Sequence, residues 1–257
     1  MIESKLSSLL ELAKNTAYQA SLTLIEQHKF SRQIHQSHSR DVKINGDFLS
    51  ESIIVDSLQQ HSSFPILSEE AGIIGEIDSE QYLWIVDPLD GSLNYSQGIP
   101  LCCISIALWK GEEPVLGVIF DFFREELFSG LIGEGAWLNE SAIKISETTK
   151  RKEAILCTGF PVRTDFSEER ITQFVNQVRA YKKVRLLGTA ALSLAYVACG
   201  RVDAYMEENI MLWDVGAGCA IVKAAGGEIQ INNCNDLLAP RKVIAKNSVL
   251  LLKDKIG

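Results

Sequence analysis

One stretch, Tyr82-Leu83-Trp84-Ile85-Val86-Asp87-Pro88-Leu89-Asp90-Gly91-Ser92-Leu93-Asn94-Tyr95, limits what the rest of the chain can fold into. Tyr82 to Val86 are apolar or aromatic, rich in strand formers and free of charge, the pattern of a strand buried on both faces. Pro88 has no N–H for a sheet ladder and disfavours helix at the residue before it, so the expectation is a strand that stops at Asp87 and turns. Asp90-Gly91-Ser92 then reads as a helix start, with Asp90 or Ser92 as the cap and Gly91 leaving an uncrowded surface for an anion. Asp87 and Asp90 thus project from one tight turn. Two carboxylates crowded at the end of a buried strand repel unless a cation lies between them, and oxygen ligands favour magnesium or calcium. Asp-Pro and Asp-Gly are also common plain turn dipeptides, so this segment alone leaves both readings open.

The chain has 257 residues, enough for a substantial core. With 46% hydrophobic and 23% charged residues it is an ordinary globular chain and not a disordered one. Its formal charge of −8 provides no basic surplus to replace phosphate counterions, which argues against nonspecific nucleic-acid binding. Cysteines stand at 102, 103, 157, 199, 219 and 234 without a Cys-x-x-Cys pair. They read as reduced core residues of a cytoplasmic protein rather than as a zinc site or a disulfide framework. The first residues lack the apolar region of a signal peptide, and no run approaches the length of a membrane span.

Along the chain, Leu6, Leu9, Leu10, Ala13, Ala17, Ala20 and Leu24 recur at helical spacing between Ile2 and about His28. Phe30 to Lys43, with His35 and His38, has neither the helical nor the strand period and reads as a polar loop. Asp47 opens a second amphipathic helix that carries Ile53, Ile54, Val55 and Leu58, a position that fits a plain cap. Phe64 to Leu67 is a short strand followed by Ser68-Glu69-Glu70, and acids at the end of an apolar strand suit metal ligation better than a solvated turn. Strand pairs follow over 101–122 and 128–138. Beyond them the pattern predicts a strand at 154–157, a helix over 167–181, strands near 184–187, 204–207 and 243–245, helices from Thr189 and Trp213, and a last helix from Asn247. The alternation is layered, α/β or α+β with mixed strands, and no repeat or linker interrupts it.

Four separated elements, Glu69-Glu70, Asp87 to Tyr95, Gly188-Thr189-Ala190 and Trp213-Asp214, resemble in order the motifs of the inositol monophosphatase family, the lithium-sensitive, magnesium-dependent phosphatases that include the fructose-1,6-bisphosphatases. The resemblance runs from about Asp47 to Ala245. It implies the five-layered αβαβα sandwich of that family, one domain over 1–257 with a metal-binding α+β part to about 145 and an α/β part from about 146. It implies two or three magnesium ions per site. Glu69, Asp87 and the Leu89 carbonyl would hold the first, and Asp87, Asp90 and Asp214 the second, with Glu69 also facing a weaker third position. Glu70 would support these ligands without being one. Glu69 and an Asp47–Ser92 pair would orient the attacking water. Gly91 and Ser92 would receive the phosphoryl oxygens, and Gly188, Thr189, Ala190 and Glu207 would line the pocket for the alcohol, although Glu207 also reads as a plain surface strand residue. Ser68 and Ser92 stand where many members have Gly and Thr.

The expected activity is hydrolysis of inositol monophosphate or a related sugar or polyol phosphate. Fructose-1,6-bisphosphatase, histidinol phosphatase, 3′-phosphoadenosine 5′-phosphate phosphatase or a non-catalytic regulatory member are the alternatives. The resemblance also implies lithium inhibition and a homodimer.

Overall fold

The computed structural model describes residues 2–38, 41–78, 81–161, 164–232 and 236–251, with the side chains of 2–4, 36–38, 41 and 42 left aside. The chain opens with α1 (Ile2–Glu26), one turn of α2 (His28–Ser31), a hairpin of β1 (Ile34–His38) and β2 (Asp41–Ile44), and α3 (Asn45–His61). Then come β3 (Ile66–Ser68), β4 (Gly72–Ile74), β5 (Tyr82–Asp90), the short α4 (Ser92–Ser96), β6 (Cys103–Lys110), β7 (Glu113–Asp121), β8 (Glu126–Leu131), β9 (Gly135–Leu138) and β10 (Ser141–Ala142). The remainder is β11 (Ile155–Cys157), α5 (Glu168–Val178), β12 (Lys183–Arg185), α6 (Ala190–Ala198), β13 (Ala204–Ile210), α7 (Leu212–Ala224), β14 (Glu228–Ile231) and β15 (Arg241–Lys246).

Eight strands form one sheet in the order β10-β9-β8-β7-β6-β5-β3-β4, and five form a second in the order β12-β11-β13-β15-β14. Strand alternation assigns each face of the large sheet its own core. Trp84, Val86, Ile104, Ile106, Leu108 and Val118 point to the side covered by α1 and α3, where Leu10, Ala13, Ala17, Leu24, Ile54 and Leu58 are buried. Leu83, Ile85, Ala107, Trp109 and Ile119 point to the other side, against α6 and α7. The far side of those two helices rests on the five-stranded sheet through Tyr205, Val243 and Ala245. Beyond that sheet, Val178 of α5 packs on Leu156 and Met206. Helices, sheet, helices, sheet and helix make the five-layered αβαβα sandwich.

Three expectations are corrected. The segment 30–43 is no loop, because β1 and β2 pair in antiparallel register from Ile34↔Ile44 to His38↔Asp41. Backbone pairing supplies what the side-chain pattern did not announce, and His35 lies edge-on to Phe48 at 5.0 Å. Secondly, β5 does not stop at Asp87. It continues to Asp90 through a bulge, the register passing from Asp87↔Ser105 to Asp90↔Cys103, and Pro88 is tolerated because it occupies that bulge. Thirdly, no helix begins at Asn247. Its side-chain oxygen accepts from the N–H of Val249 and Leu250, closing a turn, and residues 252–257 lie outside the described residues. Cys102, Cys103, Cys157 and Cys219 are buried free thiols and Cys199 is a half-buried one, while Cys234 lies outside the described residues.

Candidate active site

The acids converge because of strand register. Parallel pairing of β3 with β5 aligns Ser68 with Val86, and the Glu69 N–H donates to the Val86 carbonyl at 3.2 Å. Continuing that register by one residue sets Glu69 beside Asp87, so two acids leave adjacent parallel strands at the same level. The bulge after Asp87 then turns the chain so that Asp90 also faces inward, 9% exposed, while Asp87 is 1% exposed.

The aspartates are anchored by backbone. The Leu89 N–H donates to Asp87 Oδ1 at 3.0 Å. Asp90 Oδ2 accepts from the Thr189 hydroxyl and from the Ala191 N–H at 2.7 Å, so it caps the start of α6 rather than its own α4 as expected. The short α4 follows Gly91, whose φ of +88° and 2.7 Å separation between an added Cβ and the Leu101 carbonyl leave no room for a side chain. Asp47 and Asp214 occupy equivalent places in α3 and α7. Both sit in the first turn and accept from the residue before the helix, Ile44 N–H at 2.7 Å and Met211 N–H at 3.0 Å.

Ser92 Oγ lies 2.6 Å from Asp47 Oδ1 and 2.8 Å from the Leu89 carbonyl. One hydroxyl proton cannot serve both acceptors fully. Burial pushes the Asp47 carboxyl up to about 7, against hydrogen bonds from Ile44 and Ser92 that pull it down. Burial also raises Glu69, reinforced by Asp214 and Asp47, and raises Asp87, reinforced by Glu69, Asp90 and Asp214. Asp90 rises to about 6, its burial partly offset by the Thr189 and Ala191 bonds. Hard oxygen donors that repel one another in a poorly solvated place are the donor set of a magnesium or calcium site. Among the described residues no three His, Cys, Asp or Glu side chains stand close enough to hold an ion as they are. The fit to a divalent cation therefore rests on the chemistry of the donors and on the mutual repulsion of their charges.

Glu70 forms an ion pair with Lys43 of β2, its side chain 3% exposed, and its charge adds to the rise of Asp47 and Glu69. Thr189 is likewise committed, since its hydroxyl meets both Asp90 and the Leu192 N–H. Asn94 ties the two motifs together by donating to the carbonyls of Leu101 at 2.8 Å and Leu187 at 2.9 Å, which holds the Gly188 turn against α4. Glu207 stands in β13 with its carboxyl raised to about 8, by burial first and then by Asp214 and Asp90.

Three participants escaped the sequence reading. Glu51, one helical turn beyond Asp47 on α3, accepts from the Ser68 hydroxyl and from the N–H groups of Glu70 at 3.2 Å and Ala71 at 3.0 Å, gripping the turn that carries Glu69. The i, i+4 spacing from Asp47 was the available signal. Lys43 was hidden in a stretch without periodicity. Tyr205, two residues before Glu207 on the same strand, brings a fully buried hydroxyl to the Glu207 carboxyl and into the field of Asp214 and Asp90.

Residues 5–255 match the model of the inositol monophosphatase family. An inositol-1-monophosphatase from Synechocystis sp. is 33% identical over 248 residues, 95% of this chain and 86% of that protein. The Nus factor SuhB of Xylella fastidiosa is 40% identical over 196 residues, 76% of this chain and 70% of its own. The solved structure of an inositol monophosphatase from Anabaena (Nostoc) sp. superposes with a TM-score of 0.83 at 34% identity, covering 95% of this chain and 92% of that one. Whole-length sequence similarity and a shared five-layered fold lead to one conclusion: the chain belongs to the inositol monophosphatase family.

Proposed function

We propose that the protein is a magnesium-dependent phosphomonoesterase that hydrolyses inositol monophosphate or a related sugar or polyol phosphate. The observation that carries this reading is the convergence of Glu69, Asp87 and Asp90, with Asp87 and Asp90 buried and the charges of Glu69 and Asp87 each opposed by the other or by a neighbouring acid and by Asp214. Glu69, Asp87, Asp90, Asp214 and the Leu89 carbonyl would hold two or three magnesium ions. A bound magnesium supplies positive charge against the phosphoryl oxygens and makes water acidic enough to attack near neutral pH.

The chain's own residues do the rest. Glu69 and the Asp47–Ser92 hydrogen bond fix the direction from which water approaches phosphorus. The Gly91 and Ser92 N–H groups face the phosphoryl oxygens, and Asp90 is kept in place by Thr189 and Ala191. Glu70, neutralised by Lys43, supports the turn without competing for the ion. Gly188, Ala190 and Glu207 border the alcohol that leaves.

The test is phosphate release from inositol 1-phosphate, fructose 1,6-bisphosphate, histidinol phosphate and 3′-phosphoadenosine 5′-phosphate, each with magnesium and with chelator. Magnesium-dependent release that is lost in Asp90→Asn supports the reading, and unchanged turnover in that variant refutes it. Inhibition by millimolar lithium and a dimeric mass in light scattering belong to the same reading. Relatives named Nus factor SuhB favour a second one, in which the chain acts as such a factor. Magnesium binding without hydrolysis of any ester on the panel would select it.

A further inference from the structure

Ser105 of β6 carries a buried hydroxyl beside the acid cluster that none of the motifs announces. The residue is 1% exposed, and its Oγ has no hydrogen-bond partner among the described residues. Strand alternation sets its side chain on the face of the large sheet that carries Ile85, Cys103 and Ala107, the face covered by α6 and α7. On that face the register places Asp87 of β5 directly opposite Ser105 on one side and Ile119 of β7 on the other. Directly opposed residues of an antiparallel pair stand about 4.5–5.5 Å apart at Cβ, within reach of a hydroxyl and a carboxylate.

Elimination identifies the group that this hydroxyl serves. Ile119 and Ala107 have no polar side-chain atom, and the Cys103 thiol is turned to Asp90 Oδ2 and the Thr189 hydroxyl, 3.9 Å from each. Asp87 remains. Its Oδ1 accepts from the Leu89 N–H, and among the described residues no donor reaches Oδ2. A hydroxyl buried without a partner costs stability, and alanine would fill the same place in the strand without that cost. The carboxylates that ligate metals are themselves held by hydrogen bonds, and those donors set much of the affinity.

We propose that Ser105 is a positioning residue for Asp87: with a divalent cation in the acid cluster, its hydroxyl donates to the Asp87 carboxylate and fixes which oxygen faces the ion. The role rests on the metal-dependent phosphatase reading, and it adds to that reading a residue that β6 brings to the site by register alone.

Two measurements on the whole chain separate positioning from packing. Calorimetric titration with magnesium is expected to show an affinity about 10–100-fold lower in Ser105→Ala than in the wild type. Thermal melts in chelator are expected to give the variant a melting temperature equal to or above that of the wild type, because no hydrogen bond is lost and a buried polar atom is removed. Added magnesium should then raise the melting temperature of the wild type more than that of the variant, as binding to the folded state requires. Equal magnesium affinity in the two chains overturns the role of Ser105 and leaves the metal site standing. A variant that melts lower in chelator marks the hydroxyl as a structural member of the sheet and also overturns it. A wild-type chain that binds no magnesium removes the metal-dependent reading and Ser105's role together, so the two failures are told apart by the wild-type titration.

Discussion

At the scale of single residues, the site is a set of buried and half-buried acids, and four of the five have a carboxylate that accepts from a backbone N–H. Asp87 is held by Leu89, Asp90 by Ala191, Asp47 by Ile44 and Asp214 by Met211. Glu69 differs, since its hold is indirect and runs through Glu51 and the Ser68–Ala71 turn. Glu51→Ala would leave the Glu70 and Ala71 N–H groups without their acceptor and free that turn to shift. Magnesium affinity, read by calorimetric titration, is expected to fall about 10–100-fold, the usual loss when a group that orients ligands is removed. Glu51→Gln keeps an acceptor oxygen and should recover part of it. Equal affinity in all three chains would deny Glu51 this role.

At the scale of elements, the position of Asp214 depends on how closely α7 approaches the large sheet. Gly117 of β7 lies against that helix, and a Cβ there would stand 2.3 Å from the Ala217 carbonyl. Gly218 does the same between helices, its added Cβ 2.4 Å from Leu194 of α6. These glycines set the spacing of two layers, and no flexible side-chain end is available at Gly117 to give way. Gly117→Ala is therefore expected to cost about 1–3 kcal/mol in a urea melt, as overpacking does, and to weaken magnesium binding by moving Asp214. A variant with unchanged urea midpoint would mean that α7 has room to move. The β5 bulge works in the same way, because three residues on one strand against two on the next turn Asp90 into the site.

At the scale of the whole molecule, the acid cluster makes stability depend on pH and on divalent cations together. Asp47 titrates at about 7, Asp90 at about 6 and Glu207 at about 8, all above an ordinary carboxyl near 4. Between about pH 4 and 8 the folded chain therefore binds more protons than the unfolded one, so stability falls as pH rises through that window. In chelator, the melting temperature is expected to drop by about 5 °C or more from pH 5 to pH 8. Magnesium should restore more of it at pH 8 than at pH 5, because the cation replaces the missing protons. A melting temperature that is flat over this range, with or without magnesium, would contradict the burial of these acids.

Local chemistry was enough to announce the buried strand from Tyr82, the amphipathic face of α1 and the small-residue helices, because hydrophobic period and turn residues are properties of neighbouring positions. The four acid-bearing elements were legible for the same reason, each being a short run with its own chemistry. Only the tertiary structure decided where those runs meet. Pairing in the sheet carried β5 past Pro88, because a bulge relieves the proline of its missing N–H. It made a hairpin of the aperiodic stretch before Lys43, whose cation then fell on Glu70. Glu51, Tyr205 and Ser105 had no signal of their own, since what defines them is contact between residues far apart in the chain, and contact at a distance is settled by packing and register rather than by local pattern.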